Sequence, residues 1–212
     1  MAMSSTPSVT MFMGAPGSGK GTVIKEIVKE AESRGRTINV IAPDNVIESL
    51  PGYQQMRSEG KSDSEARSKY HPEGTALALQ IFKQAVAKPN GQDIIFDNTG
   101  GNLARYQDLI SSAKQEGLAV KVALVYNDLP TCKQWANERA SGPTAQSVPE
   151  NIIEMMHSAC AKNFEVLSHE NSWIIYAKGN SEPREGRVVA QSDVPGNTEL
   201  LSQAKSELNI VS

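Results

Sequence analysis

One segment of the sequence has residue types and spacing suited to binding phosphate. It reads Gly14-Ala15-Pro16-Gly17-Ser18-Gly19-Lys20-Gly21-Thr22. Small residues allow backbone N–H groups to surround phosphate oxygens, and a helix that starts at the end of such a loop favours the negative charge. Lys20 adds a positive charge where the β- and γ-phosphates of a nucleotide lie. All nine residues are therefore candidates for binding a nucleotide, and we expect ATP because no guanine-specifying Asn-Lys-x-Asp segment is present.

The phosphate loop departs from the usual pattern at one position. A hydroxyl residue normally follows the lysine and helps to hold Mg²⁺. Here Gly21 follows Lys20, and the hydroxyl comes one residue later, at Thr22. Either Thr22 or water would then complete the Mg²⁺ site. The wording GxPGxGKGT resembles the loop of nucleoside monophosphate kinases such as adenylate kinase.

Two aspartates follow predicted strands and are candidates for phosphoryl-transfer chemistry. Asp44 follows the second strand and Asp97 ends the third. Ligands gather at the carboxyl ends of the strands in an open α/β sheet. Transfer to a hydroxyl needs a carboxylate that deprotonates the acceptor and a metal that offsets charge, so Asp44 fits the base and Asp97 the metal-organising acid. The structural alternatives are an N-cap by Asp44 of a helix over residues 45–50, and an Asx-type turn at Asp97.

The segment after Asp97 is a candidate acceptor-binding loop. It reads Asn98-Thr99-Gly100-Gly101, and paired glycines after a strand allow a ligand to approach the backbone closely. A plain turn is the alternative. Farther along, Arg139 ends a predicted helix before a break over residues 141–149, which suggests a small helical lid. Arg139 can close onto phosphates there or simply complement the helix dipole.

Alternating strands and helices position these residues. Apolar runs predict five strands, and helical periodicity between them implies right-handed crossovers and a parallel sheet. The predicted strands are 9–13, 37–42, 93–97, 120–126 and 173–177. The predicted helices are 20–34, 75–88, 102–116, 131–140, 150–168 and a C-terminal one over 198–208. The polar stretches 60–69 and 179–195 are expected to be irregular surface loops, the first a candidate part of a substrate-binding insertion.

Length, composition and charge limit the number of domains and the classes of protein that the sequence can belong to. The chain has 212 residues, a mass of 22.9 kDa and a formal net charge of −3. This predicts one domain over residues 1–212. No secretory signal and no apolar run of about 20 residues is present, so we expect a cytoplasmic protein without a membrane span. Cys132 and Cys160 lack metal-ligand spacing and are expected to be free thiols. The three histidines show no ligand spacing either, and a pI near 5.7 makes a nucleic-acid partner unlikely.

The order of these features resembles the zeta toxin family of P-loop kinases over residues 8–180. Besides the phosphate loop, the resemblance rests on PDNVIESLPGY with Asp44, on IIFDNTG with Asp97, and on the lid-like NERASGPTAQSVPENI. It implies a three-layer α/β/α fold of P-loop kinase type, with five mostly parallel strands and a lid over about 139–150. Residues 181–212 would form a C-terminal loop and short helix.

The resemblance also implies roles for individual residues. Asp44 would be the base, Lys20 would hold ATP and Arg139 would close on the transferring phosphate. Asp97 would contact the acceptor or Mg²⁺, with Glu73 as the nearest candidate for a further acceptor-binding carboxylate. A second lid arginine of the family corresponds to Gln146 here, and Asp97 stands where the family typically has Glu.

The implied activity is transfer of the γ-phosphate of ATP to a hydroxyl of a small molecule. A nucleotide sugar such as UDP-N-acetylglucosamine is one such acceptor, and an antitoxin protein is an implied partner. Three alternatives stay open: a nucleoside monophosphate kinase, a polynucleotide-end kinase and a catalytically weak nucleotide-binding regulator. A polynucleotide-end kinase is favoured by a local basic patch, which comprises Arg57, Lys61, Arg67 and Lys69.

Overall fold

The fold is built on a six-stranded, mostly parallel sheet. The computed structural model describes residues 6–140, 148–178 and 186–210. The strand order is β2-β3-β1-β4-β5-β6, with only β6 antiparallel to its neighbour. The strands are β1 (Ser8–Met13), β2 (Ile38–Ile41), β3 (Asp93–Asp97), β4 (Ala119–Tyr126), β5 (Ser172–Lys178) and β6 (Gly186–Ser192).

Helices cover both faces of the sheet and give three layers. They are α1 (Lys20–Ser33), α2 (Pro43–Ser49), α3 (Pro51–Ser58), α4 (Asp63–Ala87), α5 (Leu103–Gln115), α6 (Leu129–Ala140), α7 (Glu150–Ser168) and α8 (Thr198–Glu207). One apolar cluster joins α1 to the sheet through Val23 and Ile24. A larger cluster joins α4, α5, α7 and α8 to the opposite face. Apolar residues thus alternate between faces along the central strands, as expected for a sheet buried on both sides.

The parallel register places the ends of β1 and β3 side by side. Phe12 pairs with Asp97, and Met13 pairs with Leu124 of β4. The residues that follow these strands therefore share one edge of the sheet. The phosphate loop, the loop after Asp97 and the start of α6 all lie there, so the expected α/β architecture of P-loop kinase type is confirmed.

Two segments differ from the sequence prediction. The expected five strands are six, because Gly186–Ser192 within the predicted loop 179–195 pairs antiparallel with β5. The sequence did not predict this strand, because residues on both of its faces are exposed or half-exposed and the alternation typical of one buried face is missing. The predicted irregular segment 60–69 is also largely helical, because α4 begins at Asp63 behind a capping box formed by Ser62 and Glu65.

Helix α4 continues through Pro72, and the sequence prediction, which began at residue 75, missed its first three turns, residues 63–74. Proline usually ends or bends a helix because it lacks the N–H and crowds the preceding turn. Here the helix has 25 residues, with Ala66 of its N-terminal half packed against α2 and α3 and Phe82 of its C-terminal half in the main core. Among the described residues, no helix is long and apolar enough to cross a membrane.

Candidate functional site

The phosphate loop joins β1 to α1 and is held by backbone contacts on several sides. The Gly14 N–H donates to the Thr99 carbonyl at 3.0 Å, which ties the loop to the segment after β3. Gly17 has a φ of +80° and lies directly against the backbone of Cys132 in α6. A Cβ at Gly17 would stand 2.9 Å from the Cys132 carbonyl carbon and closer still to its oxygen. Glycine is therefore required here for its backbone angle and for space.

Lys20 lies over the loop as the phosphate-binding hypothesis requires. It is the first residue of α1, after Gly19 in the left-handed conformation. Its Nζ donates to the Gly14 carbonyl at 2.6 Å and to the Ala15 carbonyl at 3.3 Å. The ammonium group is thus positioned at the helix N-terminus, where it and the helix dipole both favour an anion.

A polar chain supports the loop from behind, and sequence reasoning did not find it. The Asn127 side-chain amide donates to the Ser18 carbonyl at 3.1 Å. The His157 Nε2 lies 2.8 Å from the Asn127 carbonyl, and its ring contacts Tyr126 at 5.2 Å between centroids. His157 is therefore a partnered residue, as its lack of ligand spacing indicated. An asparagine immediately after a buried strand was the available signal.

The two cysteines pack against the same loop as buried free thiols, as predicted. Burial is the main reason that the pKa of Cys132 is raised to about 12 and that of Cys160 to about 11. The positive charge of Lys20 opposes both shifts, which places the thiols near that side chain. Both groups are protonated at neutral pH and serve packing.

Asp97 lies at the centre of the candidate site. Burial raises the pKa of its carboxyl group, and the nearby charge of Asp44 adds to the rise, while Lys20 and Arg139 oppose it. Three residues from separate parts of the sequence therefore lie within electrostatic reach of Asp97. No described residue donates a hydrogen bond to the Asp97 carboxylate.

Asp44 lies in the first turn of α2, beside that site. The helix begins at Pro43 with Ala42 as its N-cap, so the alternative that Asp44 is the N-cap is wrong. Pro43, at the first helical position, fixes a helical backbone two residues before the expected start at residue 45. The Asp44 side chain is 66% exposed, which leaves it accessible to an acceptor.

Arg67 contacts Asp44 and was not predicted as a site residue. Its Nη1 lies 3.5 Å from the Asp44 Oδ1, its Nε donates to Asp63 at 2.8 Å, and its Nη2 pairs with Glu48. The sequence did hold a signal, since Asp44 and Glu48 are one helical turn apart, as are Asp63 and Arg67. That signal was hidden because residues 60–69 were interpreted as a loop.

The loop after β3 has a defined conformation. The Thr99 N–H donates to the Asn98 Oδ1 at 2.7 Å, so the Asx-type contact belongs to Asn98 and not to Asp97. Gly100 has a φ of +79°, and its carbonyl accepts from Asn163 at 2.8 Å. These bonds hold Thr99 against the phosphate loop and beside Asp97.

The other predicted residues lie at varying distances from this centre. Arg139 is exposed in the last turn of α6 and acts electrostatically on Asp97. Thr22 is exposed in the first turn of α1. Glu73 is exposed on α4, and no hydrogen bond or ion pair among the described residues joins it to the others. Gln146 and most of the predicted lid, residues 141–147, lie outside the described residues.

The residues present fit a Mg²⁺ site of the kinase type. Mg²⁺ prefers oxygen ligands and keeps several waters and substrate phosphates, so it needs only one or two protein ligands. The Asp97 carboxylate, without a protein donor and beside Lys20, provides one such oxygen. Thr22 offers a hydroxyl on the adjoining helix. No cluster of three acidic, histidine or cysteine side chains that could hold a metal ion by itself occurs in the described part of the chain.

Comparisons with known proteins agree with this architecture. The family model described as Zeta toxin matches residues 1–184. A structure from the PezAT chromosomal toxin–antitoxin system of Streptococcus pneumoniae is 16% identical with a TM-score of 0.64, covering 96% of this chain and 86% of that one. A structure of AvrRxo1-ORF1 with AvrRxo1-ORF2 and ATP is 16% identical with a TM-score of 0.66, covering 98% of this chain and 66% of that one. No curated protein matches the sequence.

Proposed function

The chain belongs to the Zeta toxin family, and on that premise we propose that it transfers the γ-phosphate of ATP to a hydroxyl group of a small molecule. A nucleotide sugar such as UDP-N-acetylglucosamine is the first candidate acceptor. One observation carries the proposal: a phosphate-loop lysine, two aspartates and an arginine meet at one edge of the sheet, around Asp97.

The donor half of the reaction rests on the phosphate loop. Lys20 and the backbone N–H groups at the start of α1 would bind the ATP phosphates. The structural neighbour AvrRxo1-ORF1 is described with ATP, which supports ATP as the donor here. Asp97 and Thr22 would hold Mg²⁺, which when bound neutralises charge on the phosphate oxygens.

The acceptor half rests on Asp44 and the loop 98–100. Asp44 would accept the proton of the attacking hydroxyl as its oxygen bonds to the γ-phosphorus and ADP leaves. Asn98, Thr99 and Gly100 would orient the acceptor against Asp97, and Glu73 would contact a more distant part of it. Arg139 would add positive charge as negative charge develops on the transferring group.

A nucleoside monophosphate kinase is the second candidate, favoured by Gly21 within GxPGxGKGT. In that reaction the acceptor is a phosphate and needs no base. The two candidates therefore differ in their dependence on Asp44.

We also propose an antitoxin protein as a partner. The neighbours in structure are described as a toxin–antitoxin system and as a two-protein complex, which supports the proposal. Co-expression of the adjacent open reading frame and co-purification of its product at a fixed ratio would test it.

The decisive experiment measures transfer from γ-labelled ATP with Mg²⁺ to UDP-N-acetylglucosamine, nucleoside monophosphates, NAD and a 5′-hydroxyl RNA. Asp44→Asn should lower kcat by roughly 10²- to 10⁴-fold, as expected for loss of a general base, while ATP still binds. Asp108→Asn on α5 removes one exposed carboxylate outside the site and is the matched control. Wild-type turnover in Asp44→Asn with a nucleoside monophosphate would favour the second candidate.

A further inference from the structure

The Arg67 guanidinium is surrounded by three carboxylates from two helices, and it contacts the proposed base. We propose that Arg67 is a positioning residue, which fixes α2 against the N-terminal half of α4 and thereby places the Asp44 carboxylate for attack. This inference rests on the proposed function, because Asp44 needs a fixed position only if it acts on an acceptor.

Arg67 and the carboxylates of Asp44, Glu48 and Asp63 link the two helices, and we call this group of contacts the clamp. Asp44 and Glu48 lie one turn apart on α2, and Arg67 reaches both of them from α4. Its Nε donates to the Asp63 Oδ2 at 2.8 Å within α4. The planar fork of an arginine can serve three carboxylates at once, which a lysine cannot do.

The clamp leaves Asp44 available for chemistry. The contact with the Asp44 Oδ1 is 3.5 Å, the longest of the three, and no described residue donates to its Oδ2. Arg67 itself is held mainly by Asp63 and Glu48, and its side chain is only 15% exposed. The guanidinium thus orients Asp44 without occupying both of its oxygens.

A second layer holds the arginine in place. The Tyr53 hydroxyl of α3 donates to the Asp63 Oδ1 at 2.5 Å, and the Arg67 guanidinium lies 5.7 Å from the centroid of the Tyr53 ring. Burial, followed by the hydrogen bond to Asp63, raises the pKa of Tyr53, so the hydroxyl keeps its proton and remains a donor. The chain from Tyr53 through Asp63 and Arg67 to Asp44 is therefore fixed before any acceptor binds.

Binding an acceptor phosphate is the competing role for Arg67, and the local charge opposes it. Its single positive charge already faces three negative carboxylates. An incoming anion would have to displace Glu48 or Asp63 and would then meet the carboxylates left behind. Positioning is the role that the charge balance favours.

Packing beneath the clamp is independent of it. Gly74 of α4 lies directly against Ile47 of α2, and an apolar cluster joins the three helices. That cluster consists of Ile47, Leu50, Tyr53 and Ala66. Substituting Arg67 should therefore loosen α2 without unfolding the protein.

The test combines kinetics with a readout that needs no acceptor. Arg67→Gln should lower kcat roughly 10- to 100-fold, as expected for a displaced catalytic group, with little change in KM for ATP. Arg67→Lys keeps the charge but not the fork, so it should recover part of the loss. In an Asp44→Asn background, Arg67→Gln should cause no further decrease in kcat, since it acts through Asp44. Amide hydrogen exchange in α2 should become faster in Arg67→Gln.

Arg187→Gln is the matched control, because Arg187 is an exposed arginine of β6 that pairs with Glu207 at 3.0 Å, away from the site. Normal kcat in Arg67→Gln, or a full additional loss in the Asp44→Asn background, would overturn the inference while Asp44→Asn alone still supports the proposed function. Unchanged exchange in α2 would overturn it too. If Asp44→Asn is fully active, the proposed function is wrong. Amide hydrogen exchange in α2 then decides by itself whether Arg67 fixes that helix.

Discussion

The two sides of the site are built by different forces. On the donor side, the phosphate loop lies between β1, β3, α6 and α7, and backbone contacts and buried side chains fix it. On the acceptor side, Asp44 projects from a seven-residue helix and is held through ion pairs with Arg67. Close packing tolerates little displacement, whereas ion pairs near the surface have modest energies and weaken with salt. The donor side should therefore be the more rigid of the two, and the position of Asp44 on the acceptor side should depend on the Arg67 ion pairs.

The largest effect is expected from breaking the rigid side. Gly17→Ala forces a side chain into the backbone of Cys132 at a φ of +80°, and backbone cannot move aside as a flexible side chain can. We expect kcat/KM for ATP to fall by about 100-fold or more, because small misplacements of phosphate-binding groups have effects of that size.

Gly35→Ala, just past the other end of α1, is the matched control. Gly35 has a φ of +70°, but a Cβ there meets no atom within 4 Å, so the variant tests the backbone angle without the close contact. This variant should bind ATP as the wild type does. Equal ATP affinities for the two variants, measured by calorimetry, would show that the donor side is not the more rigid of the two.

A smaller effect is expected where the two sides meet, at Asp97. Burial raises the pKa of this carboxyl group above its ordinary value of 3.8, so its ionised form costs folding free energy at neutral pH. Asp97→Asn removes that cost. We expect a Tm higher by a few degrees at pH 7, since about 1 kcal/mol corresponds to roughly 2–4 °C in a chain of this size, together with loss of phosphate transfer.

The sign of this effect gives a pH test. A raised folded-state pKa means that stability is lost as the pH rises through that value and is fully present below 3.8. The Tm difference between Asp97→Asn and wild type should therefore shrink as the pH is lowered from 7 toward 4. A difference that is negative at pH 7, or that grows on acidification, would mean that the ionised carboxylate stabilises the free protein.

The sequence predicted the donor side better than the acceptor side, because the donor side is built largely from adjacent residues. A phosphate loop is local: its glycines, lysine and flanking strand and helix are contiguous, so nine adjacent residues reveal it. Asp97 could be found because it ends an apolar strand. The starts of α5 and α8 were also predicted to within one residue, and the structure shows Asn102 and Asn197 as their N-caps.

The missed features depend on contacts between distant residues. Arg67 acquires its role only when α4 lies beside α2, and Pro72 hid the helix that carries it. Asn127 and His157 support the phosphate loop but lie 109 and 139 positions beyond Ser18, respectively, and their one local signal is that Asn127 directly follows a buried strand. Strand β6 is defined by pairing with β5 more than by its own alternation.

The smallest effect is expected from probing the rigid side without mutating it. The pKa of Cys132 is raised to about 12 and that of Cys160 to about 11, so at pH 8 about one thiol in 10³ or fewer is ionised. Both are also buried against the phosphate loop.

A thiol reagent such as Ellman's reagent should therefore leave the native protein almost unmodified over minutes and should titrate both cysteines in guanidinium chloride. Ser49→Cys, at an exposed position of α2, gives the reference rate of a fully accessible thiol and should react at once with one equivalent. Reaction of native Cys132 or Cys160 at that reference rate would show that the packing around the phosphate loop opens freely, and the donor side would then not be rigid.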